Sequence, residues 1–380
     1  MNKNILIVAG EVSSDLHAAN LVKELKSLNP QLNFFGLGGI QMRQAGVNIL
    51  YNLVDLAVVG FWEVLSNLSK FKKIFRQLLQ EIDARKPAAA ILVDYPGFNL
   101  RLAKELKKRN IPVIYYISPQ IWAWAKNRIN LMQQVVDKML VLFQFEEQLY
   151  KTAGIDVAFV GHPLLDLVKP TMTKENFIKK YLLSDEQLTI AILPGSREKE
   201  IAYNLPIMLK SAQALSEKLP YVQFIILESP ALNRSTYEKI INKIYSSVTL
   251  VENDTYNGIY SSDFAWVASG TATLETAILE KPMFIIYKVS FPTWLIAKFL
   301  VKIPYIGLVN VVAQKKIIHE YIQYSANPQK IAQDTFEFLK DKEKLETTRK
   351  DLSRIKERLG SPGATRRAAE VVNQFLETKI

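Results

Sequence analysis

Short apolar runs alternate with longer segments of helical period, and the alternation occurs twice along the chain. The first series has strand-length runs at 5–9, 32–37, 89–93, 113–117, 139–143 and 157–160, with helix-period segments such as 16–28 and 100–108 between them. Strands separated by helices pair in parallel, because the crossover helix returns the chain to the same end of the sheet. After "GHPLLDLVKPTMTK" the pattern restarts, with runs at 189–193, 222–227, 248–251, 264–267 and 283–287. The expectation is an α/β chain of two doubly wound Rossmann-like domains, 1–165 and 185–340, facing across a cleft and joined near 162–185. The last segment, 341–380, is highly charged, helical in period and interrupted by "GSPGAT". It is expected to form a helical tail that packs back on the first domain or swaps between chains. A chain of 380 residues suits two such domains.

In doubly wound sheets the ligand lies beyond the carboxyl ends of the strands, so the residues just after each strand are the candidates for chemistry. The run "AAAILVDYPGFN" at 88–99 ends its buried strand on Asp94, followed at once by Pro-Gly. A turn acid or helix cap near a helix starting at Asn99 is one reading. The other is a general base: flanked by Val93, Tyr95 and Phe98, the carboxyl is desolvated and its pKa rises toward a useful range. In "LPGSREKEI" a strand runs into Gly195, Ser196 and then a helix, where free backbone N–H groups and the helix start favour an anion. Arg197 adds a fork of donors suited to phosphate. "ASGTATLE" repeats the device with Ser269, Gly270 and Thr271, and Glu275 lies one turn on, where a carboxylate can take a ribose diol. Each of these is also an ordinary helix cap. Two of them at equivalent strand ends suit a pyrophosphate and its nucleoside.

Several chemistries drop away. There are no cysteines, which removes disulfides and Cys-type zinc sites and points to a reducing compartment, the cytoplasm. "MNKNILIVAGE" has too few apolar residues for a signal peptide and reads as a first strand. His17, His162 and His319 lie far apart without metal-binding spacing, and neither a G-x-S-x-G elbow nor a P-loop lysine motif occurs. "GLGG" at 36–39 is only part of a dinucleotide fingerprint.

The net charge of +11 asks for an anionic partner: nucleic acid, a membrane surface or phosphorylated substrates. Two stretches suit a membrane surface. Between 61 and 82, Trp62, Leu65, Leu68, Phe71, Phe75, Leu78, Leu79 and Ile82 follow helical spacing, with Lys70, Lys72, Lys73 and Arg76 among them. The plainer reading is a core-packing helix with a solvated basic face. The stretch 290–309 is more apolar, but Lys298, Lys302 and two prolines spoil it as a span, so it is expected to dip at the interface through Trp294 and Phe299.

Taken in order, "ILIVAGEVSSD", "VVGFWEVL", "DYPGFN", "SPQIWAW", "FVGHPLLD", "LPGSREKEI", "ASGTATLE" and "LVN" followed by "HEYIQ" resemble lipid A disaccharide synthase over nearly the whole chain. The resemblance implies an inverting glycosyltransferase of the two-Rossmann GT-B type, peripheral on the cytoplasmic face of the Gram-negative inner membrane. It implies the joining of UDP-2,3-diacylglucosamine to 2,3-diacylglucosamine 1-phosphate, with UDP released and no metal or other cofactor. Asp94 would be the base. Gly195, Ser196 and Arg197 would hold the leaving pyrophosphate. The uridine and ribose would lie against Ser269, Gly270, Thr271 and Glu275 and the later segment, with Asn310, Glu320 and Gln323 as further contacts. Glu11 and Ser13 would position a sugar or phosphate. Lipid-linked, phosphorylated substrates and anionic inner-membrane lipids account for the basic charge without nucleic acid. A tail that swaps between chains would make the protein a homodimer, and one that packs back would leave it a monomer.

The chain departs from the family pattern at Ser14, where glycine is usual, at His17, at Val309 and at His319. A left-handed residue required at Ser14 would strain the first loop. Alternatives within the fold class are another UDP-sugar enzyme, a lipid II-type transferase or a UDP-N-acetylglucosamine epimerase. The non-enzymatic alternative is a basic peripheral protein that binds anionic lipid or RNA.

Overall fold

The computed structural model describes residues 4–53, 68–119, 128–290, 294–295 and 304–379. The chain divides into two compact units, Met1–Pro163 with Leu359–Ile380, and Leu164–Arg358.

In the first unit the elements run β1 (Asn4–Ala9), α1 (Val12–Leu28), β2 (Asn33–Gly38), α2 (Ile40–Gln44), β3 (Asn48–Asn52), α3 (Leu68–Arg85), β4 (Ala89–Val93), α4 (Pro96–Lys108), β5 (Val113–Tyr116), α5 (Arg128–Val135), β6 (Lys138–Val141), α6 (Gln144–Thr152) and β7 (Val157–Phe159). The sheet is parallel, in the order β3-β2-β1-β4-β5-β6-β7. Its central strands are continuous apolar runs because helices cover both faces, and β4 is buried at every residue. Each such buried aliphatic side chain contributes about 1.5–3 kcal/mol.

The second unit runs α7 (Leu164–Leu167), α8 (Lys174–Lys180), β8 (Leu188–Leu193), α9 (Glu198–Ser216), β9 (Val222–Leu227), α10 (Arg234–Ile244), β10 (Thr249–Val251), α11 (Thr255–Ser261), β11 (Phe264–Val267), α12 (Ala272–Ile278), β12 (Met283–Tyr287), α13 (Leu308–Ala313), β13 (Glu320–Ile322), α14 (Pro328–Lys340) and α15 (Lys342–Arg358). Its parallel sheet has the order β10-β9-β8-β11-β12-β13. The indole of Trp266 is fully buried there and donates to the Thr335 hydroxyl at 3.1 Å. Helix α16 (Ala364–Lys379) returns to the first unit and packs along α1. The segment 341–380, expected as one tail, therefore divides between the units, and 164–185 belongs to the second.

Each sheet has a switch point where successive strands wind in opposite directions. In the first it lies between β1 and β4, with Ala9 abreast of Val93. In the second it lies between β8 and β11, with Leu193 abreast of Val267. The loops after these four strands carry the candidate chemistry.

The amphipathic stretch 61–82 resolves toward the plainer reading where it is described. Ile74, Leu78 and Ile82 of α3 are buried in the sheet's core, with Phe71, Phe75 and Leu79 packed against it, so this apolar face is spent. Lys70, Lys72, Lys73 and Arg76 stay exposed. Residues 61–67, with Trp62 and Leu65, lie outside the described residues, as do Lys298, Phe299 and Lys302. Trp294 stacks edge-on against Tyr324, ring centres 5.4 Å apart. No helix among the described residues is long and apolar enough to cross a membrane.

Candidate active site

In the first unit the site is built where β4 stops. Asp94 and Tyr95 both adopt left-handed backbone, with φ of 48° and 46°, before Pro96 opens α4. Proline at the first helical position is favourable, so α4 starts three residues before Asn99, and Tyr95, not Asp94, is its cap. Two consecutive left-handed non-glycine residues cost on the order of 1–3 kcal/mol each, so the surroundings must impose them. The Asp94 N–H donates to the Tyr116 carbonyl at 3.0 Å. The Asp94 carbonyl accepts from the Tyr115 hydroxyl at 2.5 Å and from Asn99 Nδ2 at 2.8 Å. The Tyr95 ring lies on Gly10, where a Cβ would come within 2.2 Å of it, so only glycine fits at the end of β1.

Held this way, the Asp94 carboxyl is pushed up from 3.8 to about 6, first by burial and then by the charge of Glu11, against a hydrogen bond from the Tyr95 backbone. At neutral pH it is ionised yet basic enough to accept a proton. Glu11 is exposed just before α1, and the Ser14 hydroxyl bridges its backbone, accepting from the Glu11 N–H and donating to its carbonyl, each at 2.9 Å. Ser14 is helical and buried, so the strain anticipated for a serine here does not arise. Ser13 is exposed in the same first turn.

Asp15, passed over in the sequence, is buried and accepts from the backbone N–H groups of Gly39 (2.7 Å), Gln41 (3.0 Å) and Met42 (3.3 Å), fixing the "GLGG" loop. Only the tertiary fold brings those partners to it. The same is true of His17 and His162. Burial lowers both, His162 to about 3, with the charge of His17 adding to the effect.

In the second unit a cavity of about 740 Å³ opens at the carboxyl ends of β8, β9 and β11. That is within the roughly 300–1,000 Å³ typical of small-molecule sites. Gly195, Ser196 and Arg197 line one side, and Ser269, Gly270, Thr271 and Glu275 line another. The structure thus brings these seven together. Burial raises Glu275, and the Tyr256 hydroxyl donates to it, working the other way. Tyr256 is itself pushed up to about 12, first by burial and then by Glu275. The Ser269 hydroxyl is engaged with the Ile306 carbonyl at 2.9 Å.

Four of the expected contacts are engaged within the chain. The Ser196 N–H is not open: it donates to Glu200 Oε2 at 2.9 Å, because a carboxylate in the first turn of α9 is the nearest anion for a helix start. Asn310, Glu320 and Gln323 do not line the cavity. Asn310 is fully buried and its amide is saturated, donating to Ile318 O and Glu320 Oε1 and accepting from the N–H groups of Ile317 and Ile318. Glu320 accepts from the backbone of Ile306 at 3.1 Å and Gly307 at 3.0 Å. Gln323 pairs both ways with the Val289 backbone. All three brace loops.

Glu200, Glu228 and Tyr256 also line the cavity and were missed. Glu228 follows β9 directly, so inspection of every strand end would have found it; Tyr256 has no such signal. Among the described residues no cluster of His, Asp and Glu is arranged to hold a metal ion.

The sequence matches the family model described as lipid-A-disaccharide synthetase over residues 5–375. It is 43% identical over 369 residues to a lipid-A-disaccharide synthase of Syntrophus aciditrophicus (strain SB), covering 97% of this chain and 96% of that one. It is 40% identical to the synthase of Geobacter sulfurreducens, covering 99% and 98% of the two chains. Legionella pneumophila lipid-A-disaccharide synthase 1 is likewise 40% identical, with 95% and 94% covered. Among solved structures, the S. aureus MnaA–UDP complex superposes with a TM-score of 0.65 at 16% identity, covering 99% of this chain and 97% of that one. Acinetobacter baumannii MurG does so at 0.58 and 15%, covering 98% and 99%. These two likenesses are of fold.

Proposed function

The chain belongs to the lipid-A-disaccharide synthase family, a glycosyltransferase of lipid A biosynthesis with two Rossmann-like units, and from that premise we propose how its residues perform the reaction. The donor is UDP-2,3-diacylglucosamine and the acceptor 2,3-diacylglucosamine 1-phosphate. The acceptor's 6-hydroxyl oxygen attacks the donor's anomeric carbon, and Asp94 takes its proton. A glycosidic C–O bond forms as the bond to the UDP oxygen breaks, with inversion at that carbon. The electron pair leaves on the diphosphate, whose charge is met by Arg197 and the backbone at Gly195 and Ser196. UDP occupies the second unit's cavity with its ribose toward Glu275, in place of the Tyr256 hydrogen bond or beside it. Glu11 and Ser13 guide a sugar or phosphate near Asp94.

The observation that carries the reading is Asp94 itself: a carboxyl at the first sheet's switch point, pushed up to about 6 and held on a backbone turn that the fold must enforce. A carboxyl placed only to cap a helix would need neither feature. Asp94→Asn should lower transfer by roughly 10²–10⁴-fold, read as disaccharide product by mass spectrometry, while UDP still stabilises the protein against heat. Near-normal turnover would refute the base assignment.

The acylated substrates require access to a bilayer. We assign the enzyme to the cytoplasmic face of the inner membrane, docked on anionic lipid, with the exposed lysines and arginine of α3 and the region of Trp294 and exposed Leu295 as contacts.

A further inference from the structure

Among the described residues, Glu200 is the carboxylate bonded to the Ser196–Arg197 loop. Its Oε2 accepts from the Ser196 N–H at 2.9 Å, and its Oε1 stands 3.4 Å from Arg197 Nη1. These are the donors assigned above to the leaving diphosphate. The loop is shaped around this side chain: a Cβ at Gly195 would fall 2.6 Å from Glu200 Cβ and 2.7 Å from Oε2, and Gly195 has a φ of 126° that side chains avoid. Glu200 is well packed, with its side chain 17% exposed, whereas Arg197 is 79% exposed. A long contact to so exposed an arginine holds it weakly. Orienting Arg197 is therefore a poor account of the carboxylate, while occupying the N–H site is a good one.

We propose that Glu200 is a resident anion that fills the diphosphate seat in the empty enzyme and yields it to the nucleotide, so setting how tightly UDP is held and how fast it leaves. The inference rests on the assignment of that seat to diphosphate. A carboxylate with one charge satisfies the helix start and the loop N–H in the absence of ligand; a diphosphate, with more charge and more acceptor oxygens, displaces it. Once displaced, the carboxylate stays nearby and repels the bound diphosphate, which favours release of UDP after transfer.

The test is UDP affinity by calorimetric titration, together with steady-state turnover, for Glu200→Gln, which keeps the shape, and Glu200→Asp, which keeps the charge but shortens the reach. Glu200→Gln should bind UDP about tenfold more tightly, with lower KM for the sugar nucleotide and lower kcat as UDP release slows. Glu200→Asp should tighten UDP less. Unchanged or weaker UDP binding in both variants would overturn the proposal and make Glu200 a support for the loop. Arg197→Ala separates this failure from that of the parent reading: if it weakens UDP while the Glu200 variants do not tighten it, only the resident anion is wrong. If Arg197→Ala leaves UDP binding untouched, the seat itself is misassigned and both fall.

Discussion

Replacing Asp94 by Asn should make the protein more stable at neutral pH while lowering transfer by roughly 10²–10⁴-fold. The Asp94 carboxyl is raised from 3.8 to about 6 in the folded chain, so folding favours its protonated form. The folded chain gains relative stability from this group below pH 3.8 and loses it as pH rises through about 6. Above that, the ionised carboxylate destabilises the first unit by at most about 3 kcal/mol. Asn keeps the acceptor oxygen that the Tyr95 backbone uses but carries no charge, so it recovers this energy. For a unit of this size, about 2–4 °C per kcal/mol gives an upper limit of roughly 6–12 °C in melting temperature. Scanning calorimetry of the wild type and Asp94→Asn at pH 7.5 and 4.5 measures the gain, which should fall to roughly a third at the lower pH. A variant no more stable at pH 7.5, or equally stabilised at both pH values, would show that burial does not strain this carboxylate.

Three further outcomes follow. Tyr115→Phe removes one of the two side-chain donors to the Asp94 carbonyl; it should cost about 1–3 kcal/mol of stability and move the acid limb of the kcat/KM–pH profile below 6 as the loosened carboxyl gains water, and an unshifted limb would deny the clamp. Asn310→Ala strands the part-buried and buried backbone N–H groups of Ile317 and Ile318 and the buried carbonyl of Ile318; urea unfolding should show a loss of about 2–4 kcal/mol, and UDP affinity that falls with no loss of stability would make Asn310 a ligand contact. Trp294→Ser should reduce co-flotation with anionic liposomes at constant UDP affinity, and full retention would exclude this part of the surface from docking.

The strand ends were legible because a parallel sheet buried on both faces leaves uninterrupted apolar runs, and the first polar residue after each run marks the ligand side. That rule alone reached Asp94, Ser196 and Ser269; Arg197 and Glu275 were found by reading on into the helix that follows each strand end. Edge strands β3 and β13 escaped it, being short and half-exposed, with no apolar run to announce them. Asn310 and Glu320 entered as ligand contacts through the family resemblance alone; in the structure they sit in α13 and β13, and their side chains are taken up by neighbouring backbone, a pairing that no local pattern in the sequence announces. Glu200 was hidden differently. Its distance from Ser196 is a helical turn, and the sequence does not show whether a first-turn acid points outward or folds back over its own helix start.

Helix α16 lies in the first unit although 195 residues of the second unit precede it in the chain, from Leu164 to Arg358. Its Ala368, Ala369, Val372 and Leu376 are buried, Arg366 bonds Glu24 at 3.1 Å, and Arg367 donates to the Val160 carbonyl at 2.9 Å. On the ribosome, the second unit has all its residues while the first still lacks the piece that covers α1. The unit whose strands come earlier in the chain is thus the later one to be completed, and its α1 flank stays open until α16 has been made. A chain cut near Leu359 would keep every residue lining the second unit's cavity yet leave the α1 face of the first unit uncovered.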